Sequence, residues 1–179
     1  MKVKMHHTLH FYGQHQHSFL RIYIALAKLT SIPLVGGLVR SVANAYARKA
    51  HSAYLLTTAQ AEQIIDSARE IALGPCSCRQ VFHNCDNPVM SEIVLGNGTE
   101  AFKGRDFKKI AKEAAKEVVR QAHQKRLIHT IVRCSGHFYA ICNCCTCCCV
   151  PTRLRQKYGI NYALIRKNDV VAEFQRQQL

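Results

Sequence analysis

The chain has 179 residues, 48% of them hydrophobic and 20% charged, enough apolar content for one packed domain and too much for a disordered segment. Its net charge of +14 calls for an acidic partner, a nucleic acid or an anionic membrane surface. No run of about 20 uninterrupted apolar residues is present, which excludes a membrane-spanning helix. The best candidate for a secretory leader, residues 22–39, contains Lys28 and is broken by Pro33-Leu34-Val35-Gly36-Gly37.

Residues 1–17 are polar and contain His6, His7, His10, His15 and His17. They read as a solvated arm, with metal capture as the alternative. Residues 18–56 read as two helices around the Pro/Gly break. Phe19, Ile22, Tyr23, Leu26 and Leu29 recur at helical spacing in the first, and Val35, Leu38, Val39, Val42 and Tyr46 in the second. Arg21, Lys28, Arg40, Arg48 and Lys49 supply charge, and no Asp or Glu occurs before Glu62. A basic, acid-free amphipathic pair suits an anionic lipid surface or a docking partner. The same pair suits ordinary packing against a core. Residues 1–56 are therefore set apart as a helical N-terminal arm, and residues 57–179 as the functional domain.

Thr57 and Gln60 have capping-box spacing for a helix over 58–71. Residues 71–73 then read as a strand that turns at Gly74-Pro75 and delivers the chain to Cys76. Gly96-Asn97-Gly98 reads as a turn with no helix directly after it. Asp106 is placed to cap a long helix over 107–126 with Phe107, Ile110, Ala114 and Val118 on its buried stripe. Strands follow at 129–133 and 138–141, a short helix at 153–157, and a closing hairpin at 161–165 and 170–174. The order predicts an α+β fold: a small sheet with flanking helices around a cysteine-lined site, preceded by the amphipathic arm.

The ten cysteines carry the chemistry. Cys76, Cys78 and Cys85 form one group. Cys142, Cys144, Cys145, Cys147, Cys148 and Cys149 form the other, six cysteines in eight residues. Cys134 stands alone. Such crowding does not suit separate disulfides and reads as metal ligation. Cys142, Cys145 and Cys148 repeat the C-x2-C-x2-C run by which one loop holds three corners of an iron–sulfur cube, so the fourth thiolate has to come from the first group. Cys144, Cys147 and Cys149 form a second, interleaved set. Nine thiolates without Cys134 suffice for one or two [4Fe–4S] clusters. Zinc is the lesser alternative, since Cys142/Cys145 and Cys144/Cys147 also have zinc-knuckle spacing. Arg79 and Asn143 are placed to bond to a thiolate or sulfide, and His83 and His137 are candidate substitute ligands.

These residues resemble a family of 4Fe–4S-binding, ferredoxin-like iron–sulfur proteins of anaerobes. The resemblance rests on the Cys76-Ser77-Cys78-Arg79 segment, Cys85 ahead of Pro88, His129, and the run from Cys142 to Cys149, and spans about residues 40–175. It implies iron–sulfur binding, a redox role and a partner subunit carrying the next electron relay.

The reading that follows is an iron–sulfur electron-transfer protein, a subunit or partner of a larger and membrane-associated redox complex. It is expected in the cytoplasm, peripheral on the membrane face. Its basic surfaces would steer an acidic redox protein, with an anionic membrane surface meeting residues 18–56. Two rivals remain: an enzyme with an open or non-cubane cluster that cleaves a disulfide, and a zinc-stabilised basic nucleic-acid-binding module. The last fits the charge but lacks aromatic residues among the cysteines, apart from Phe82. No Ser-His-Asp or paired-carboxylate arrangement is readable.

Overall fold

The computed structural model describes residues 2–178, with side chains from residue 8 onward. Metal capture by His6 and His7 thus lies outside the described residues. The architecture is α+β, a seven-stranded sheet with helices on both faces and a long N-terminal helix.

Helix α1 runs unbroken over Lys2–Lys28, and α2 follows at Gly36–Lys49 after the Pro/Gly break. The solvated arm expected over 1–17 is instead part of α1, with Leu9, Tyr12 and Gln16 buried. Gly13 is what allows this approach. A Cβ there would sit 2.5 Å from the carbonyl oxygen of Ala101. Residues 51–56, expected as the tail of the second helix, form strand β1 (His51–Leu56). Successive residues pack on opposite faces of the sheet: Ala53 and Leu55 on the α1 side, Tyr54 and Leu56 on the other.

The capping box forms as expected. The Gln60 N–H donates to Thr57 Oγ1 at 3.2 Å and the Thr57 N–H to Gln60 Oε1 at 2.9 Å, opening α3 (Thr58–Ser67). Strand β2 (Ile71–Pro75) leads into α4 (Ser77–Phe82), followed by β3 (Met90–Leu95). A short helix α5 (Asn97–Ala101) starts within the Gly96-Asn97-Gly98 segment, where only a turn was expected. The long helix expected over 107–126 starts later. Residues 108–109 add to the sheet as β4 (Lys108–Lys109), and α6 spans Lys112–Gln124 with Ala115, Val119 and Ala122 buried. Strands β5 (Ile128–Cys134) and β6 (His137–Cys144) form the central antiparallel pair. Helix α7 (Val150–Tyr158) ends at Gly159, whose φ of +69° suits glycine. The closing hairpin is absent. Strand β7 (Leu164–Ile165) pairs parallel with β1, and residues 170–178 are helix α8 (Val170–Gln178), which buries Val170 and Phe174.

The sheet order is β4-β2-β3-β6-β5-β1-β7. Helices α3, α6 and α8 cover one face through Ile64, Ile65, Val119 and Phe174 packed on Ile93, Ile131 and Ile141. Helix α1 covers the other through Leu9 and Tyr12 over Ala53, Val94 and Ala140. A register shift between Val132 and Arg133 puts Phe138 and Ala140 opposite consecutive β5 residues, so Tyr139 and Ala140 both turn to the α1 side. β2 and β6 end, and β3 and β5 begin, at the same end of the sheet. The cysteine runs meet at that end.

Candidate metal centre

Strand β6 continues through Cys144, so the two-residue period places Cys142 and Cys144 on the α1 side and Asn143 on the other. The chain then turns through Cys145–Cys149, and Pro151 sits in the first turn of α7. Cys76 precedes α4 as Cys149 precedes α7, each the residue just ahead of a helix. This geometry divides nine cysteines into two sets that differ from the two interleaved triplets read from spacing.

The compact set is Cys85, Cys145, Cys147 and Cys148, whose sulfurs all lie within 4.8 Å of one another. Cys85 Sγ is 3.7 Å from both Cys145 Sγ and Cys148 Sγ, and Cys147 Sγ is 3.9 Å from Cys148 Sγ. A tetrahedral ion with bonds of about 2.3 Å requires sulfurs about 3.8 Å apart. The set can therefore hold a metal, and its spacing matches one ion. Donors surround it. The Asn84 N–H reaches Cys148 Sγ at 3.3 Å, the Asn87 side-chain amide reaches Cys85 Sγ at 3.4 Å, and the Cys148 N–H reaches Cys145 Sγ at 3.4 Å. Burial works to raise the Cys85 thiol, but the Asn87 donors and the neighbouring thiols outweigh it and bring it to about 6. Burial pushes Cys148 up to about 11.

The second set is Cys76, Cys78, Cys142, Cys144 and Cys149, on the α1 side of the loop, where all five border one cavity. Thr130 Oγ1 lies 3.5 Å from Cys144 Sγ, and the Val150 N–H donates to Cys78 Sγ at 3.5 Å. Donation from the thiols of Cys144 and Cys78 holds Cys149 well below the usual thiol range against its burial. Cys78 and Cys144 are raised by the same contacts and by burial, and Cys142 by burial and the nearby Glu92. Burial and Glu92 also push Cys76 up to about 12. All ten cysteines are unpaired by disulfides.

Arg79 stands between the sets. It is 2% exposed, and its guanidinium donates to the Pro88 carbonyl and Ser91 Oγ, each at 2.6 Å, and to the Asn143 carbonyl at 2.6 Å. Its Nε has no hydrogen-bond partner among the described residues. Burial disfavours the charge, but Cys76, Cys145 and Cys144, drawn from both sets, favour it and leave the guanidinium more basic than usual. Asn143 acts through its backbone. Its side chain donates to the Ser91 carbonyl at 2.9 Å and lies 2.7 Å from His129 Nδ1, away from the thiols.

Of the remaining candidates, His83 lies two residues before Cys85, and His137 and Cys134 lie away from both sets. His83 ends α4 in a left-handed conformation, φ +47°, and His137 begins β6, at the far end of that strand from Cys144. Cys134 is buried in the apolar layer under α1.

No protein-family model, curated protein or solved structure matches this chain. No described helix is long and apolar enough to cross a membrane.

Apart from Arg79, sequence reading did not find the residues that condition the thiols. Asn84 and Asn87 flank Cys85 within four residues, which was a usable signal for N–H···S donors. Glu92, Gln16 and Ser77 gave none, because they meet only in the fold. Ser77 Oγ donates to Gln16 Oε1 at 2.6 Å, and the Ser77 N–H donates to Glu92 Oε2 at 3.1 Å.

Proposed function

We propose that the chain is an iron–sulfur electron-transfer protein whose two cysteine sets hold its metal centres, and that it serves a larger redox complex. The observation that carries this reading is the convergence of nine reduced thiols from two distant runs on one end of the sheet, around a buried guanidinium. N–H groups aimed at sulfur and a fixed nearby cation stabilise a reduced, more negative centre, which is how a protein raises a cluster's potential. The basic surface supports an acidic redox partner. The resemblance of the cysteine runs to ferredoxin-like proteins of anaerobes supports the same reading.

The spacing of the compact set supports a second reading at that set alone, a structural zinc. One experiment separates the two. Iron, acid-labile sulfide and zinc are measured per chain after anaerobic purification, together with a visible spectrum. Iron with sulfide in a brown protein supports electron transfer, and the iron-to-sulfide ratio distinguishes cubes from a single ion. Zinc without sulfide overturns it.

A further inference from the structure

The cavity over the second cysteine set is a site in its own right. It encloses about 660 Å³ between α1, α2 and the sheet, within the range of small-molecule pockets. Its floor is the second cysteine set with Gln16, Ser77 and Glu92, the latter three all at least nine-tenths buried. Its waist is aromatic. The Tyr12 ring lies 4.8 Å from His51 and 6.2 Å from Tyr139, and Tyr23 lies 6.3 Å from His51 and 6.2 Å from Tyr46. Its mouth is aliphatic. Ile22, Leu26, Leu38 and Val42 line the cavity and are yet 49%, 54%, 68% and 62% exposed. These are residues of the apolar faces that helical periodicity marked on the amphipathic pair. They line the walls of an open space instead of packing on a core.

The lining chemistry selects the occupant. Among the described residues no Lys, Arg or Asp lines the cavity and Glu92 is the one carboxyl on its wall, so a carboxylate or phosphate would enter without a lining counter-charge. Ser77 and Gln16 at the floor already bond to each other, but a purely aliphatic molecule would leave the tyrosine hydroxyls of the waist without a use, since the Tyr23 and Tyr46 oxygens, 2.9 Å apart, need only one of their two O–H groups for each other. A flat ring stacks on the aromatic waist, and carbonyl oxygens on that ring accept from those donors. We propose that the cavity binds an uncharged lipophilic ring compound of the quinone class, with its ring between Tyr12 and Tyr23 and an oxygen directed at the second cysteine set. The binding itself stands on the cavity, and its redox meaning rests on the function proposed above.

The test uses the full chain, purified anaerobically and assayed first for iron, sulfide and zinc. Isothermal titration with decylubiquinone as the probe is expected to give saturable one-to-one binding. Sodium decanoate, the anionic control, is expected to bind at least tenfold more weakly. Two variants address the walls. Ala43→Phe fills the cavity from α2, and Leu38→Glu places a charge at the exposed mouth. Each should weaken decylubiquinone at least tenfold while metal content and Tm stay at wild-type values. Absence of saturable binding to metal-loaded protein overturns the proposal. So does equal binding of decanoate, an unchanged affinity in both variants, or sedimentation with anionic vesicles as the sole interaction. Specific binding by a protein that carries no iron or sulfide would uphold the site and refute the electron-transfer reading separately.

Discussion

The two cysteine sets share one loop yet differ in almost every physical respect. The compact set has its four sulfurs within 4.8 Å of one another, beside α4 and the segment that follows it, with its lowest thiol on a partly exposed residue, Cys85. The second set is spread around a cavity, roofed by α1 and α2, with its lowered thiol on buried Cys149. Adjacent cysteines are assigned to opposite sides, Cys148 to one and Cys149 to the other. The difference arises from β6. The strand directs Cys142 and Cys144 to the cavity, the turn brings Cys145, Cys147 and Cys148 to Cys85, with Cys145 also bordering the cavity, and the chain returns to the cavity at Cys149 as α7 begins, so local backbone form and not sequence spacing sorts the ligands. A tight set suits permanent occupancy of a site, and a set facing a cavity suits contact with something that arrives.

The largest effect is expected from Cys148→Ser, which removes a fully buried sulfur from the compact set. Four-thiolate sites bind metal with about 10–16 kcal/mol of apparent free energy, so the metal of that set should be lost and Tm should fall sharply. Metal bound by the second set should persist. Loss of all metal in this variant would show that the sets are not independent.

Arg79→Met should affect both sets together. It leaves the Pro88 and Asn143 carbonyls without their donor and the thiolates without a cation, at a cost of about 3–5 kcal/mol. Urea midpoints at matched metal content measure this, and a change below about 1 kcal/mol would rule out a bridging role for the guanidinium.

Gly13→Ala should separate the sets. The new Cβ meets the Ala101 carbonyl, so α1 must shift, at about 1–3 kcal/mol. The second set, under α1, should change its spectrum or metal affinity while the compact set keeps its own. Equal perturbation of both would argue that α1 is part of one cooperative centre.

The smallest effect is a pH dependence in reduced, metal-free protein. Cys85 is lowered to about 6 from an unfolded value of about 8.5. Its stabilising contribution is therefore complete above about pH 8.5 and lost as pH falls through about 6. Its alkylation by iodoacetamide should be half-maximal near pH 6, ahead of Cys148, which sits at about 11. Mass spectrometry of the first-labelled peptide checks this, and early labelling of Cys148 would contradict the assignment of the thiolate.

Much of the scaffold was legible because its signals are local. Thr57 and Gln60 announce a cap within four residues, and the short runs at 129–133 and 138–141 announce a strand pair. The misreadings have physical causes. His51–Leu56 follows a helix with no intervening Gly or Pro, so its two-residue period was absorbed into the helix before it. Residues 170–174 look like a strand because they begin Val-Val, but Phe174 completes a four-residue helical repeat with Val170 against the core. At the site, the ligating residue types were legible and their grouping was not. Grouping depends on where β6 ends, a property of pairing with β3 and β5 and not of the run itself.

Both borders of the sheet are two residues long. Strand β4 offers only Lys108 and Lys109, both exposed, and β7 only Leu164 and Ile165. Short edges, one of them doubly charged, give a foreign strand too few free backbone groups to pair with. The protein is thereby protected from self-association by strand addition. A partner that docks on this molecule would gain few backbone hydrogen bonds by extending the sheet.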